Sequence, residues 1–147
     1  TGTDGSSAQS IEDLAIYRTL PNVIVMHPSD VVSTKQLTMQ LAATSFPSYT
    51  RTARNKTPVL YEGREDEIEI GKGIVLKEGS DVAIIACGVM VSQSLMAAEA
   101  LAADGINIGI IFMGAVGNGK STIAFEKSID YLRALSEPKV RKLCYLR

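Results

Sequence analysis

Residues 82–112 read VAIIACGVMVSQSLMAAEALAADGINIGIIF, and this stretch decides the predicted fold. Its two ends, 82–86 and 106–112, are mainly apolar runs without a regular polar alternation, which is typical of strands buried on both faces. The segment 91–103 between them is rich in Ala, Leu and Met, which favour helix, and Asp104-Gly105 is typical of a helix C-terminus. The stretch therefore predicts two parallel strands joined by a crossover helix.

The same alternation continues on both sides of this unit. Further strands are predicted at 23–26, 49–52, 74–76 and 140–145, and further helices at 11–19, 32–43 and 120–135. Ser10-Ile11-Glu12-Asp13 resembles a capping box for the first helix, and Ser29 or Asp30 can cap the second. The predicted fold class is α/β, with alternating strands and helices on mainly parallel sheets in Rossmann-like three-layer units.

Composition excludes several classes of function. The chain has 15 Lys plus Arg and 16 Asp plus Glu, so its net charge of −1 argues against nucleic acid or an anionic membrane as a partner. Its apolar runs are too short to span a bilayer. With one His and two Cys, a cage of His and Cys metal ligands is excluded. Cys87 and Cys144 each lie in an apolar run, which predicts buried thiols in a reducing cytoplasm.

The segment 55–70 differs in character from the rest of the chain. Pro58, Gly63 and the charged run 64–67 interrupt the alternation of strands and helices. This pattern predicts a surface linker that separates one unit, 1–54, from a second unit, 71–147.

An ordered set of short motifs runs through both units. They are Gly2-Thr3-Asp4-Gly5, Ile11-Glu12-Asp13-Leu14-Ala15, Leu20-Pro21-Asn22, Pro28-Ser29-Asp30, Arg51-Thr52-Ala53-Arg54, Gly79-Ser80-Asp81-Val82 and Ala86-Cys87-Gly88. In this order and at this spacing they resemble the transketolase family over about residues 1–113. The resemblance implies that 1–54 is the C-terminal part of a pyrimidine-binding domain. It also implies that 71–147 begins a transketolase C-terminal domain, which departs from the family after about residue 113.

The resemblance also implies a chemistry. The family uses thiamine diphosphate with Mg²⁺ to move a two-carbon ketol unit between sugar phosphates. By position, Asp4 would face the sugar hydroxyls, Arg54 would hold the substrate phosphate, and Gly5 would lie beside the cofactor. His27 is a further substrate-binding candidate because it follows a strand, where α/β sheets bind ligands. Its alternative interpretation is a surface or capping residue.

Two departures from the family limit this implication. Ala8 stands where many members have a His that contacts the donor substrate. The family's activating Glu and its diphosphate-binding and metal-binding loop lie upstream of the segment that this chain resembles. The resemblance therefore implies an isolated chain that is catalytically incomplete, and a homo- or hetero-oligomer in which a diphosphate-binding domain completes the site.

A second motif points to a different function. Gly114-Ala115-Val116-Gly117-Asn118-Gly119-Lys120-Ser121 matches the phosphate-binding P-loop, with a predicted strand before it and a predicted helix after it. In that alternative Gly114 and Gly119 shape the loop, Lys120 reaches the phosphates of ATP or GTP, and Ser121 binds Mg²⁺. However, 140–147 contains no Asp or Glu that could serve as the later metal ligand. A third alternative is a non-catalytic folded or assembly domain.

Overall fold

The computed structural model describes residue 5, residues 9–113 and the strand 143–146. In chain order its helices are α1 (Asp13–Arg18), α2 (Val31–Ala42) and α3 (Met90–Ala102). Its strands are β1 (Ile24–Met26), β2 (Ser48–Thr50), β3 (Gly73–Lys77), β4 (Val82–Ala86), β5 (Ile108–Met113) and β6 (Leu143–Leu146). A single turn of 3₁₀-helix covers Glu65–Glu67. The P-loop motif and the predicted helix 120–135 lie outside the described residues.

The unit predicted from residues 82–112 is confirmed. β4 and β5 are parallel neighbours in register from Val82 opposite Ile108 to Ala86 opposite Phe112, and α3 connects them. Four of the five residues of β4 are buried, because helices and neighbouring elements cover a parallel strand on both faces. β6 pairs with the other side of β4, also in parallel.

In the sheet that contains β4 and β5, the strand β3 departs from the parallel pattern. The sheet order is β3-β5-β4-β6, and β3 runs antiparallel to β5. Only a short turn separates β3 from β4, which is too short for a crossover helix, so the chain must reverse direction there. Gly79 in this turn passes so close to β5 that an added Cβ would lie 2.0 Å from the backbone nitrogen of Gly109.

The first half of the chain forms a second parallel pair. β1 and β2 are hydrogen-bonded in register from Ile24 opposite Ser48 to Met26 opposite Thr50, and α2 connects them. Asp30 caps α2 as predicted, because its side chain accepts a hydrogen bond from the Ser33 N–H. The capping box predicted at the start of α1 is wrong: Glu12 is the N-cap, and it makes no side-chain cap.

One hydrophobic core joins both halves. Ile24, Met26 and Leu37 from the first half belong to the same buried cluster as Ile84 and Ile110 from the second. Tyr61 and Ile68 also belong to it. Within 55–70, which is predicted to be a surface linker, these two residues are buried in the core, while Glu65–Glu67 remains at the surface.

Candidate active site

Three strand ends place the candidate residues on the same edge of the fold. Met26 and Thr50 are opposite each other at the carboxyl ends of β1 and β2, so 27–30 and 51–54 leave the sheet side by side. The carboxyl end of β4 reaches the same place, because the Cys87 Sγ lies 3.7 Å from the His27 Nδ1. Ligands of open α/β sheets bind outside the carboxyl ends of strands, so this edge is the candidate site.

A cluster of three polar side chains lies at this edge. Asp13, in the first turn of α1, accepts hydrogen bonds from the Nε of Arg51 at 2.9 Å, from the Nη2 of Arg51 and from the hydroxyl of Tyr49. The Tyr49 ring stacks on Tyr17 with centroids 3.9 Å apart. We call Asp13, Tyr49 and Arg51 the carboxylate cluster. The fork of Arg51 on Asp13 fixes the plane of the guanidinium as well as its position.

The protonation states follow from these contacts. The Arg51 hydrogen bonds hold the pKa of Asp13 well below its usual range, so the carboxylate is ionised at neutral pH. The bond to Asp13 raises the pKa of Tyr49 to about 12, so its hydroxyl keeps its proton and donates. Arg51 remains charged, because the bond to Asp13 raises its pKa further. The cluster is therefore a paired anion and cation with a neutral donor.

His27 is buried, with a side chain that is 5% exposed. Its carbonyl accepts a hydrogen bond from the Gly88 N–H at 3.0 Å, and its ring lies against the α-carbon of Gly88. Burial, reinforced by the nearby charge of Arg51, lowers the pKa of His27 to about 4, so the ring is neutral at pH 7. The alternative interpretation of His27 as a surface or capping residue is wrong. Direct contact between His27 and substrate stays a prediction.

Asp30 connects the start of α2 to the backbone of Leu60 and Tyr61 by hydrogen bonds. Its Oδ1 accepts from the N–H and hydroxyl of Ser33, both at 2.7 Å. Its Oδ2 accepts from the N–H groups of Leu60 at 2.8 Å and Tyr61 at 3.2 Å. Four donors thus satisfy the two oxygens of one buried side chain, which explains how this polar group is tolerated at 3% exposure.

A pocket of about 350 Å³ opens beside these groups. Its wall combines the start of α2 with the segment after β2, and includes Ser29, Asp30, Thr34, Thr52, Ala53, Asn55, Lys56 and Thr57. Arg54 lies between the wall residues Ala53 and Asn55 and is exposed. Lys56 and the hydroxyl residues Ser29 and Thr34 belong to this wall, and a cation beside hydroxyl groups suits an anionic ligand.

The other predicted site residues are placed only in part. Gly5 has a φ of +75°, a left-handed conformation that glycine adopts without strain. Asp4 lies outside the described residues, as do Gly114, Gly119, Lys120 and Ser121 of the P-loop. In the part of the chain that the structure describes, no group of three or more His, Cys, Asp or Glu side chains could hold a metal ion.

Sequence reasoning missed the carboxylate cluster. The sequence assigns Asp13 to a capping box at the start of α1, and it indicates Arg51 only as part of the motif Arg51-Thr52-Ala53-Arg54. No local pattern connects two residues 38 positions apart. The signal that was available is weaker: an Arg at the end of one predicted strand and a carboxylate in the helix that leads into the neighbouring strand.

The fold and the site define an α/β protein whose candidate ligand site lies at the carboxyl edge of parallel strands. Two family models match the chain. The model of the transketolase pyrimidine-binding domain matches residues 1–59, and that of the transketolase C-terminal domain matches residues 71–116. A protein of Methanocaldococcus jannaschii, "Putative transketolase C-terminal section", is 40% identical over 140 residues, which are 95% of this chain and 44% of that protein. The chain belongs to the transketolase family, whose enzymes depend on thiamine diphosphate.

Solved structures agree with this assignment. A split-gene transketolase, described as an inactive β4 tetramer, superposes with a TM-score of 0.79 at 34% identity, covering 95% of this chain and 44% of the other. A transketolase from Pichia stipitis in complex with sedoheptulose 7-phosphate gives a TM-score of 0.70 at 26% identity, covering 86% of this chain and 18% of the other. The chain thus spans less than half of the length of each protein. None of the helices in its described part has the length and apolar character needed to cross a bilayer.

Proposed function

We propose that this chain supplies the substrate-phosphate side of a thiamine-diphosphate-dependent transketolase, which moves a two-carbon ketol unit between sugar phosphates. The observation that carries the proposal is that Arg54 is exposed and that its two sequence neighbours line the pocket at the carboxyl edge of β1 and β2. The Pichia stipitis relative was solved with a phosphorylated ketose, which supports a sugar phosphate as the ligand class. Asp4 would face the sugar hydroxyls, and Gly5 would lie beside the cofactor.

In the family that this chain resembles, the metal and diphosphate end of the cofactor is bound by residues upstream of the matching segment. We assign that end to another region, on a partner chain or elsewhere in the same protein. The split-gene relative, whose β4 tetramer is inactive, supports a division of the site between chains. The free, buried thiol of Cys87 suits a reducing cytoplasm as the place of this activity.

The test compares the isolated chain with an assembly that contains a diphosphate-binding region. Calorimetric titration of the chain alone with thiamine diphosphate and Mg²⁺ should show no binding, and the assembly should transfer ketol units. In the assembly, Arg54→Ala should raise the KM for a phosphorylated sugar by about tenfold or more, because a bidentate charge-assisted contact is lost. Lys35→Ala removes an exposed cation from α2 and should leave the KM unchanged.

Two results would contradict the proposal. Micromolar binding of the cofactor by the isolated chain would show that the diphosphate site is present after all. Equal KM values for wild type and Arg54→Ala would remove Arg54 from the phosphate site. Arg54→Lys adds a second comparison, because it keeps the charge but loses the planar fork.

The P-loop match favours nucleotide binding as an alternative. This alternative rests on the sequence motif alone. The alignment with the Methanocaldococcus jannaschii relative, in contrast, covers 95% of the chain, so the similarity to that relative extends into the region of the motif beyond residue 113. The alternative expects Mg²⁺-dependent binding of ATP or GTP that Lys120→Ala abolishes. Equal binding by the wild type and Lys120→Ala would eliminate it.

A further inference from the structure

We propose, on the basis of the proposed function, that Asp13 is a positioning residue for substrate phosphate. Asp13 acts through Arg51, which lies three residues before Arg54 in the chain. On its other side, Asp13 opens α1. The carboxylate cluster therefore ties the start of α1 to the segment that carries Arg54.

The geometry of the cluster suits this role. Asp13 receives both arms of the Arg51 fork and the Tyr49 hydroxyl, so its carboxylate cannot rotate without breaking three hydrogen bonds. The Asp13 side chain is 7% exposed, so the carboxylate end of the ion pair is largely removed from water and salt. The stack of Tyr49 on Tyr17 fixes the third member of the cluster against α1.

The path from Arg51 to Arg54 is short. The Arg51 N–H donates to the Met26 carbonyl at 2.9 Å, which extends the pairing of β1 and β2 by one bond. Residues 52–54 then lie outside helix and strand. Three residues span at most about 10 Å, so the anchored Arg51 limits where the Arg54 backbone can go. A displacement of about 1 Å in a substrate-positioning group can reduce turnover substantially, so this limit matters for function.

The proposal makes a quantitative prediction for Asp13→Asn, which keeps the shape of the side chain and removes its charge. In the complete assembly the KM for a phosphorylated sugar should rise about tenfold, equivalent to about 1.4 kcal/mol, while kcat changes less than about twofold. The KM for a non-phosphorylated ketose should change little, because Arg54 acts on the phosphate. Glu67→Gln is the matched control, since Glu67 also accepts a two-point fork, from Arg64, but at an exposed site.

A double-mutant cycle separates positioning from general damage. When Arg54 is already Ala, Asp13→Asn should cause no further rise in KM, because the contact it positions is gone. Hydrogen–deuterium exchange gives a readout independent of activity: amides of 51–56 should exchange faster in Asp13→Asn, while those of β4 and β5 remain protected. If Asp13→Asn does not fold, Arg51→Lys carries the same tests, since it keeps the charge and loses the fork.

The outcomes distinguish this inference from the function on which it rests. An assembly in which Arg54→Ala has no effect on KM overturns the proposed phosphate site, and this inference with it. If Arg54→Ala raises the KM but Asp13→Asn gives the same KM and the same hydrogen–deuterium exchange as Glu67→Gln, only the positioning role is overturned. Additive effects of the two substitutions also overturn it, since they show that Asp13 does not act through Arg54.

Discussion

At the scale of single residues, we expect the burial of His27 to make the fold sensitive to acid. Its pKa falls from 6.5 to about 4 in the folded chain, chiefly because burial penalises the charged ring. The unfolded chain therefore binds more protons than the folded chain between these values, so stability decreases as pH falls through that window. We expect His27 to account for about 3 kcal/mol of loss between pH 7 and pH 4, measured by urea unfolding at several pH values.

The control for this prediction is His27→Gln, which cannot take up a proton. Its free energy of unfolding should vary less between pH 6.5 and pH 4.5 than that of the wild type, although its absolute stability is lower. Nearby Arg51 disfavours the imidazolium and Asp13 opposes that effect, so the comparison is best made with both intact. Identical slopes for the two proteins would show that His27 is not the titrating group.

The residues of the site differ in how far sequence could predict them. The Asp30 cap could be predicted, because capping acts over three residues and leaves a local signature. The burial of Cys87 could be predicted from its apolar run. The burial of His27 and the pairing of Asp13 with Arg51 could not, because each depends on a neighbour far away in the chain.

At the scale of elements, we expect Asp30 to hold the start of α2 in place. Asp30→Ala removes the cap of α2 and leaves the N–H groups of Leu60 and Tyr61 without their acceptor. The loss should be about 3 kcal/mol, since a cap contributes about 1 kcal/mol and each buried unsatisfied donor costs about as much or more. Asp104→Ala, at an exposed position after α3, should stay within about 0.5 kcal/mol of wild type in denaturant unfolding. Comparable losses in both variants would contradict the role of Asp30.

The elements themselves were largely predictable, whereas their arrangement was less so. β1, β4, β5 and α3 follow from apolar runs and helix signals, which are local. The antiparallel direction of β3 depends on the length of the turn before β4 and on close packing against β5. The burial of Tyr61 could not be predicted from a charged, Gly- and Pro-containing neighbourhood, because a single anchor leaves no periodic pattern.

At the scale of the whole molecule, the two regions that match separate family models share one core and one set of loop contacts. Gln40 on α2 binds the segment that connects them, because it donates to the Ile68 carbonyl at 2.6 Å and accepts from the Ile70 N–H at 2.9 Å. His27 and Gly88 join the two regions directly at the edge of the candidate site. Because the cluster of buried residues is continuous between the regions, we expect them to unfold together.

Gly88→Ala tests this junction directly. A Cβ at Gly88 would lie 2.1 Å from the His27 Cε1, and the φ of +58° adds backbone strain. Gly63→Ala is the matched control, because its φ of +77° adds similar strain but its added Cβ meets no atom within 4 Å. Strain alone should cost about 1–2 kcal/mol, and the clash should add about 1–3 kcal/mol to Gly88→Ala only. His27→Ala should recover that difference when combined with Gly88→Ala, whereas equal losses in the two glycine variants would show that the regions do not meet at this contact.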